Sequence, residues 1–172
     1  VYKTDTDGYS SFLVKKSSPN YGKRGNALGL EEDGYKNLTS SLKAGYNFDD
    51  SNKIDISHTI VDADNNFDGT SGDSLNTANT KDQFSMVSYE NKNNFATTDV
   101  SVKRSDFDRE YYYPATNSTS YFDGIVNEYG LKTNIPYQND NAFVLLGTDY
   151  KTFEHKNELN EKYDNKAVFI TN

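Results

Sequence analysis

The chain has 172 residues, a formal net charge of −8, a pI near 4.7 and no cysteine. The length fits one ordinary domain. The missing thiols exclude a disulfide framework and a thiolate metal site. The acidic balance, with 18 Lys and Arg scattered along the chain, argues against a nucleic-acid partner, whose phosphates need a basic surface.

Fourteen Tyr, ten Phe and only three Pro, with Asn, Asp, Ser and Thr abundant, favour strands and turns over helices. No 3.6-residue apolar stripe is sustained. Only short runs such as Glu158 to Lys162 allow a helical turn. No apolar run is long enough for a membrane helix, and the first residues do not read as a signal peptide. The chain begins with Val and reads as a mature protein or an excised piece. A mean hydropathy of −0.89 would be unusual for a helical membrane protein but suits strands that are half polar.

In chain order, Val1 to Asp7 read as the tail of a loop or strand, and Gly8 to Lys16 as a strand. Ser17 to Asp33, with Pro, Asn and three Gly, reads as a long loop. From Gly34 the side chains alternate. Leu38, Ser40, Leu42, Ala44, Tyr46 and Phe48 fall on one face, and Asn37, Thr39, Ser41, Lys43, Gly45 and Asn47 on the other. Asp49-Asp50-Ser51-Asn52 supplies a tight turn. The second arm repeats the pattern with Ile54, Ile56, His58 and Ile60. Ala63 to Lys81 reads as a second long loop.

Asp82 to Glu90 and Phe95 to Arg104 read as paired strands around Asn91 to Asn94. Ser105 to Gly124 reads as a third long, aromatic loop. Ile125 to Ile135 and Ala142 to Thr152 form the next pair around Pro136 to Asn141, with Val144, Leu146, Thr148 and Tyr150 on one face. Phe153 to Asn165 reads as a fourth loop and Lys166 to Thr171 as a last strand. The expectation is one all-β segment over residues 1–172, an antiparallel up-and-down meander of about eight long strands. Short and long connections alternate, as they do in outer-membrane barrels, whose periplasmic turns are short and outer loops long.

These residues resemble the barrel of TonB-dependent outer-membrane receptors of the cobalamin and siderophore type. There an acidic D-G-[YF] segment opens a strand that ends in a Y-x-F-[ND] periplasmic turn. Here those are Asp33-Gly34-Tyr35 and Tyr46-Asn47-Phe48-Asp49. The stretch Asp62 to Gly69 matches the acidic outer loop that follows. The resemblance implies a piece of a large outer-membrane β-barrel of about 22 strands, in a bacterial cell outer membrane, against lipid. It implies binding and gated import of a nutrient complex, cobalamin or an iron chelate. Energy would come from the TonB system through a plug domain that these residues do not include. The other reading of the same strands is a soluble, secreted β-sheet binding module, in which the apolar face meets a second sheet and the ligand is a carbohydrate.

Two candidate sites stand out. Asp62, Asp64, Asn66 and Asp68 are spaced by two, with Asp73 beyond. Hard oxygens at alternating positions suit Ca²⁺. The late Gly69 and the lack of a closing Glu reject an EF-hand, and a solvated acidic loop is the plain alternative. The resemblance adds Ca²⁺ binding as an expectation for outer loops, with Asp106 and Asp108 of the next loop completing the shell. The second candidate is Tyr111, Tyr112, Tyr113 and Tyr121 with Phe122, whose faces suit a planar or sugar-like ligand. An interfacial aromatic girdle is the alternative. No enzyme is expected: no G-x-S-x-G or H-E-x-x-H occurs, His58 alternates with isoleucines, and His155 has no evident nucleophile partner.

Overall fold

The computed structural model describes residues 2–3, 8–17, 34–69, 72–137, 142–156 and 160–172. Nearly all of them are strand. They form β1 (Tyr2–Lys3), β2 (Gly8–Ser17), β3 (Tyr35–Asn47), β4 (Asn52–Gly69), β5 (Gly72–Lys92), β6 (Thr97–Tyr113), β7 (Ser118–Tyr137), β8 (Ala142–His155) and β9 (Glu161–Thr171). The helical exception among them is one 3₁₀ turn, Pro114–Thr116. The strands pair in chain order, each antiparallel to the next, in one sheet. With β1 only two residues long, this is the expected meander of eight long strands.

Local chemistry fixes the short turns. The Asp49 carboxylate accepts the Ser51 amide at 2.7 Å and the Asn52 side-chain amide at 2.8 Å. The Asn93 side-chain carbonyl accepts the Phe95 and Ala96 amides, both at 2.9 Å. In each turn a side chain takes over the bonds that the ladder drops. At the opposite end, Asn117 takes a left-handed conformation, φ 46°, to close the 3₁₀ turn.

Three stretches expected as long loops are strand instead. β4 runs to Gly69 and β5 restarts at Gly72, β6 runs to Tyr113 and β7 restarts at Ser118, and β8 runs to His155. Glu161 and Lys162, expected in a helical turn, begin β9. The polar composition of these stretches misleads because an exposed strand needs period two, not hydrophobicity. The expected alternation of short and long connections is not found here: β3 and β4, β5 and β6, and β6 and β7 are each joined by four residues, and it is the strands that differ in length. Strands grow from 10 residues in β2 to 21 in β5. The loop expected over Ser17 to Asp33 lies, beyond Ser17, outside the described residues.

Register assigns every side chain to a face. Leu42 opposes His58, which opposes Ser85, then Arg104, Asn127 and Thr152. On this Leu42 face the half nearest the short turns is apolar: Ala44, Ile56, Val87, Val102 and Tyr129 form one row. Ile54, Tyr89, Val100 and Leu131 form the next. The other half of the same face is charged: Leu38 leads along its row to Asp62, Lys81, Asp108 and Asp123.

These apolar side chains are not sealed in a core. Among the described residues the buried apolar ones are Ala63, Ala78, Ala96 and Ile125 alone. Leu42 is 50% exposed and Ile170, on the edge strand, 73%. A sheet with one oily face normally covers it with a second layer. Here the described residues make a single layer.

Candidate functional site

The other face, marked by Ser41, reverses the pattern. Near the short turns it carries Lys43, Asp55, Glu90, Asp99, Lys103, Lys132 and Asp149. Toward the far end it turns aromatic. In β6 the residues Phe107, Arg109, Tyr111 and Tyr113 share this face, while Asp106, Asp108, Glu110 and Tyr112 share the other.

Phe107 anchors the cluster. Its ring meets Phe84 edge-on at 5.9 Å and Phe122 at 6.4 Å. Phe122 in turn lies 5.2 Å from the His155 imidazole. Phe67 receives Tyr111 and Tyr113 edge-on at 6.3 and 6.0 Å. Phe153 stacks on Tyr163 at 4.5 Å. Edge-on and stacked pairs add to what area burial alone provides.

Arg109 ties this cluster to β5. Its guanidinium donates to both Asp82 oxygens, at 2.6 and 3.2 Å. It also stands over the rings of Phe107 and Phe122, 5.3 and 5.8 Å from their centroids. Asp82 is one of two buried polar residues in the described sheet. The hydrogen bonds that Arg109 donates to the Asp82 carboxylate hold its guanidinium above its ordinary range.

The tyrosine cluster expected from the sequence divides. Tyr111 and Tyr113 join Phe67 on the aromatic face, whereas Tyr112 and Tyr121 lie on the Leu42 face. Tyr121 is 60% exposed.

The acidic series is not a loop. Asp62, Asp64 and Asn66 project from one face of β4, spaced along a strand rather than wrapped around a point. Asp68 accepts the Ser74 amide at 3.3 Å. Asp73 lies in β5, its side chain outside the described residues. Asp108 does come onto the face of Asp62, but Lys81 stands between them in the row. Asp106 is held by Arg104 through two bonds of 2.8 Å. Among the described residues no group of three or more His, Asp or Glu is placed to hold a metal ion. Asp62 and Asp64 share one hollow with Asp108 and Glu110, with Lys81 among them.

Arg109, Phe153 and Tyr163 were not singled out from the sequence, and His155 was weighed there only as a catalytic residue. The signal was present, since Phe107, Arg109, Tyr111 and Tyr113 alternate with acids at period two. Compared with models of known protein families the chain matches none, and a comparison with curated proteins returns no match. The fold and the arrangement of its faces carry the functional argument.

Proposed function

We propose that this chain forms part of the wall of an outer-membrane β-barrel receptor of the TonB-dependent type, which takes up a nutrient complex such as cobalamin or an iron chelate. The Leu42 face meets lipid. The Ser41 face lines the wet interior, and its aromatic end gathers ligand near the outer rim. Energy enters through a plug domain and its inner-membrane partner.

The course of the apolar band carries this reading. Leu42 shares its register row with Thr152, yet the apolar stripe of β8 is Val144, Leu146 and Tyr150. Its centre near Leu146 lies six residues before Thr152 in β8, five strands away, although Tyr150 at its end stays level with Ala44, Ile56, Val87, Val102 and Tyr129. With residues ~3.3 Å apart and strands ~4.8 Å apart, that drift corresponds to a slope of about 40°. A belt level with a membrane drifts by that amount when strands tilt by ~35–45°, as they do in outer-membrane barrels. A packed sandwich core requires no such drift. The acids beyond the band then stand clear of hydrocarbon, where a charge is costly.

The test uses the absence of cysteine. Val100→Cys, Ser101→Cys and Val102→Cys are each labelled with a fluorophore and reconstituted in phosphatidylcholine vesicles carrying a lipid-bound quencher. The expected result is strong quenching at positions 100 and 102 and weak quenching at 101. Equal quenching at all three ends the proposal.

A further inference from the structure

On the Ser41 face, around Gly124, lies a hollow of about 260 Å³ walled by Phe107, Phe122, Phe153, His155 and Tyr163. Two features mark it as a site for a ligand rather than a packing gap. At Gly124 an added Cβ would meet Glu154 O at 3.5 Å, Phe122 at 3.9 Å and Phe107 at 4.0 Å, all ordinary contacts. Sterics therefore do not demand a glycine here, yet glycine leaves the floor open. And His155 Nε2 is buried with no hydrogen-bond partner, its ring tilted 40° over Phe122. An unmade bond at a buried nitrogen is costly, and a ligand hydroxyl relieves that cost.

Charge narrows the occupant. The nearest guanidinium, Arg109, is spent on Asp82, and the acids of the lining are Glu154, paired with Lys162, and Glu161, so the wall disfavours an anion. The geometry points to a subsite for one flat, neutral ring that bears hydroxyl groups. Its faces pack on the Phe107, Phe122 and Phe153 rings, and a hydroxyl meets His155 Nε2 once the imidazole turns about its Cβ–Cγ bond, a soft torsion. The hollow is smaller than the ~300–1,000 Å³ of sites for whole ligands, so it takes a single ring of a larger molecule. This deepens the receptor reading and rests on it for the assignment of this face to water.

A sugar ring and a phenolic ring share this chemistry, and two probes separate them. The chain has two histidines, and His58 faces the opposite side, where its Nδ1 lies 2.9 Å from Ser85 Oγ. The full chain in detergent micelles is titrated with methyl glucoside and with catechol while the imidazole Cε1–H signals are followed by NMR. The expected result is a saturable shift at His155, with His58 unmoved. The probe that saturates identifies the ring. Gly124→Leu, which fills the floor, is expected to weaken that probe at least about tenfold, a change of ~1.4 kcal/mol, while the His58 signal keeps its position. No shift with either probe, equal shifts at both histidines, or a response that Gly124→Leu leaves intact overturns the inference. Lipid quenching along positions 100 to 102 is read separately, so the failure of one proposal is not the failure of the other.

Discussion

The ring of Phe169 lies across the backbone of Gly147, its direct partner in the β8–β9 ladder. A Cβ on Gly147 would stand 2.2 Å from the Phe169 ring, with two more ring atoms inside 3.0 Å. An aromatic side chain laid over a cross-strand glycine covers backbone that the glycine leaves bare, and it pins the register of an edge strand.

Gly147→Ala should therefore push Phe169 off the sheet and cost about 1–3 kcal/mol, the usual range for overpacking. Urea unfolding in detergent checks the size. The double variant with Phe169→Ala should recover part of the loss, because the clash then has no second partner. A neutral single variant would mean that the ring does not lie there.

Asp82→Ala should cost about 2 kcal/mol, because it leaves the half-buried Arg109 charge without its two hydrogen bonds. Replacing both members, Asp82→Leu with Arg109→Met, should cost less than the single change. Chemical denaturation of Asp82→Leu, Arg109→Met and their double variant forms the cycle. Additive single and double effects would show the pair to be uncoupled.

A charge placed on the apolar band should be felt only on one face. Val102→Lys is expected to lower stability in lipid vesicles by roughly 2–4 kcal/mol, as for a cation near the midplane of a barrel wall. Ser101→Lys, its neighbour on the Ser41 face, should change little if that face is wet as proposed. Equal losses at the two positions would remove the difference between the faces.

The Asp49 turn should respond to acid. Its carboxyl is held below the ordinary 3.8, first by the side-chain amide of Asn52 and next by the Ser51 amide. A depressed folded value means that the contribution is full above the ordinary carboxyl value and is lost as pH falls through the lower one. NMR titration should place the Asp49 inflection below 3.8, and Asn52→Ala should move it back up. An inflection that stays put in that variant would assign the shift to another cause.

The fold was legible where side chains alternate in polarity. Leu38 to Tyr46, Ile54 to Ile60 and Val144 to Tyr150 share one face, as their period of two requires. It was illegible where both faces of a strand are polar. Asp64, Asn65 and Asn66 read as loop residues, yet they continue the β4 ladder to Gly69, because cross-strand pairing with β5 outweighs a weak local preference. The same error hid the candidate site. Once Ser105 to Gly124 is taken as a loop, the alternation of Phe107, Arg109 and Tyr111 carries no direction, and the opposition of Asp82 and Phe107 is out of reach. In β5 the side chains sharing the band are Val87 and Tyr89, while Phe84 and Met86 fall on the Ser41 face.

The length of β5 bears on how such a rim would work. Twenty-one residues at ~3.3 Å each span about 70 Å, more than twice the ~30 Å of a hydrocarbon core. The surplus is carried by ladder rather than by slack chain. Aromatic groups mounted on a stiff parapet give up little freedom when something settles on them, so capture is spared much of the ordering cost of about 0.5–1.5 kcal/mol per immobilised side chain. Recognition would then depend on fit to a standing surface more than on closure around the guest.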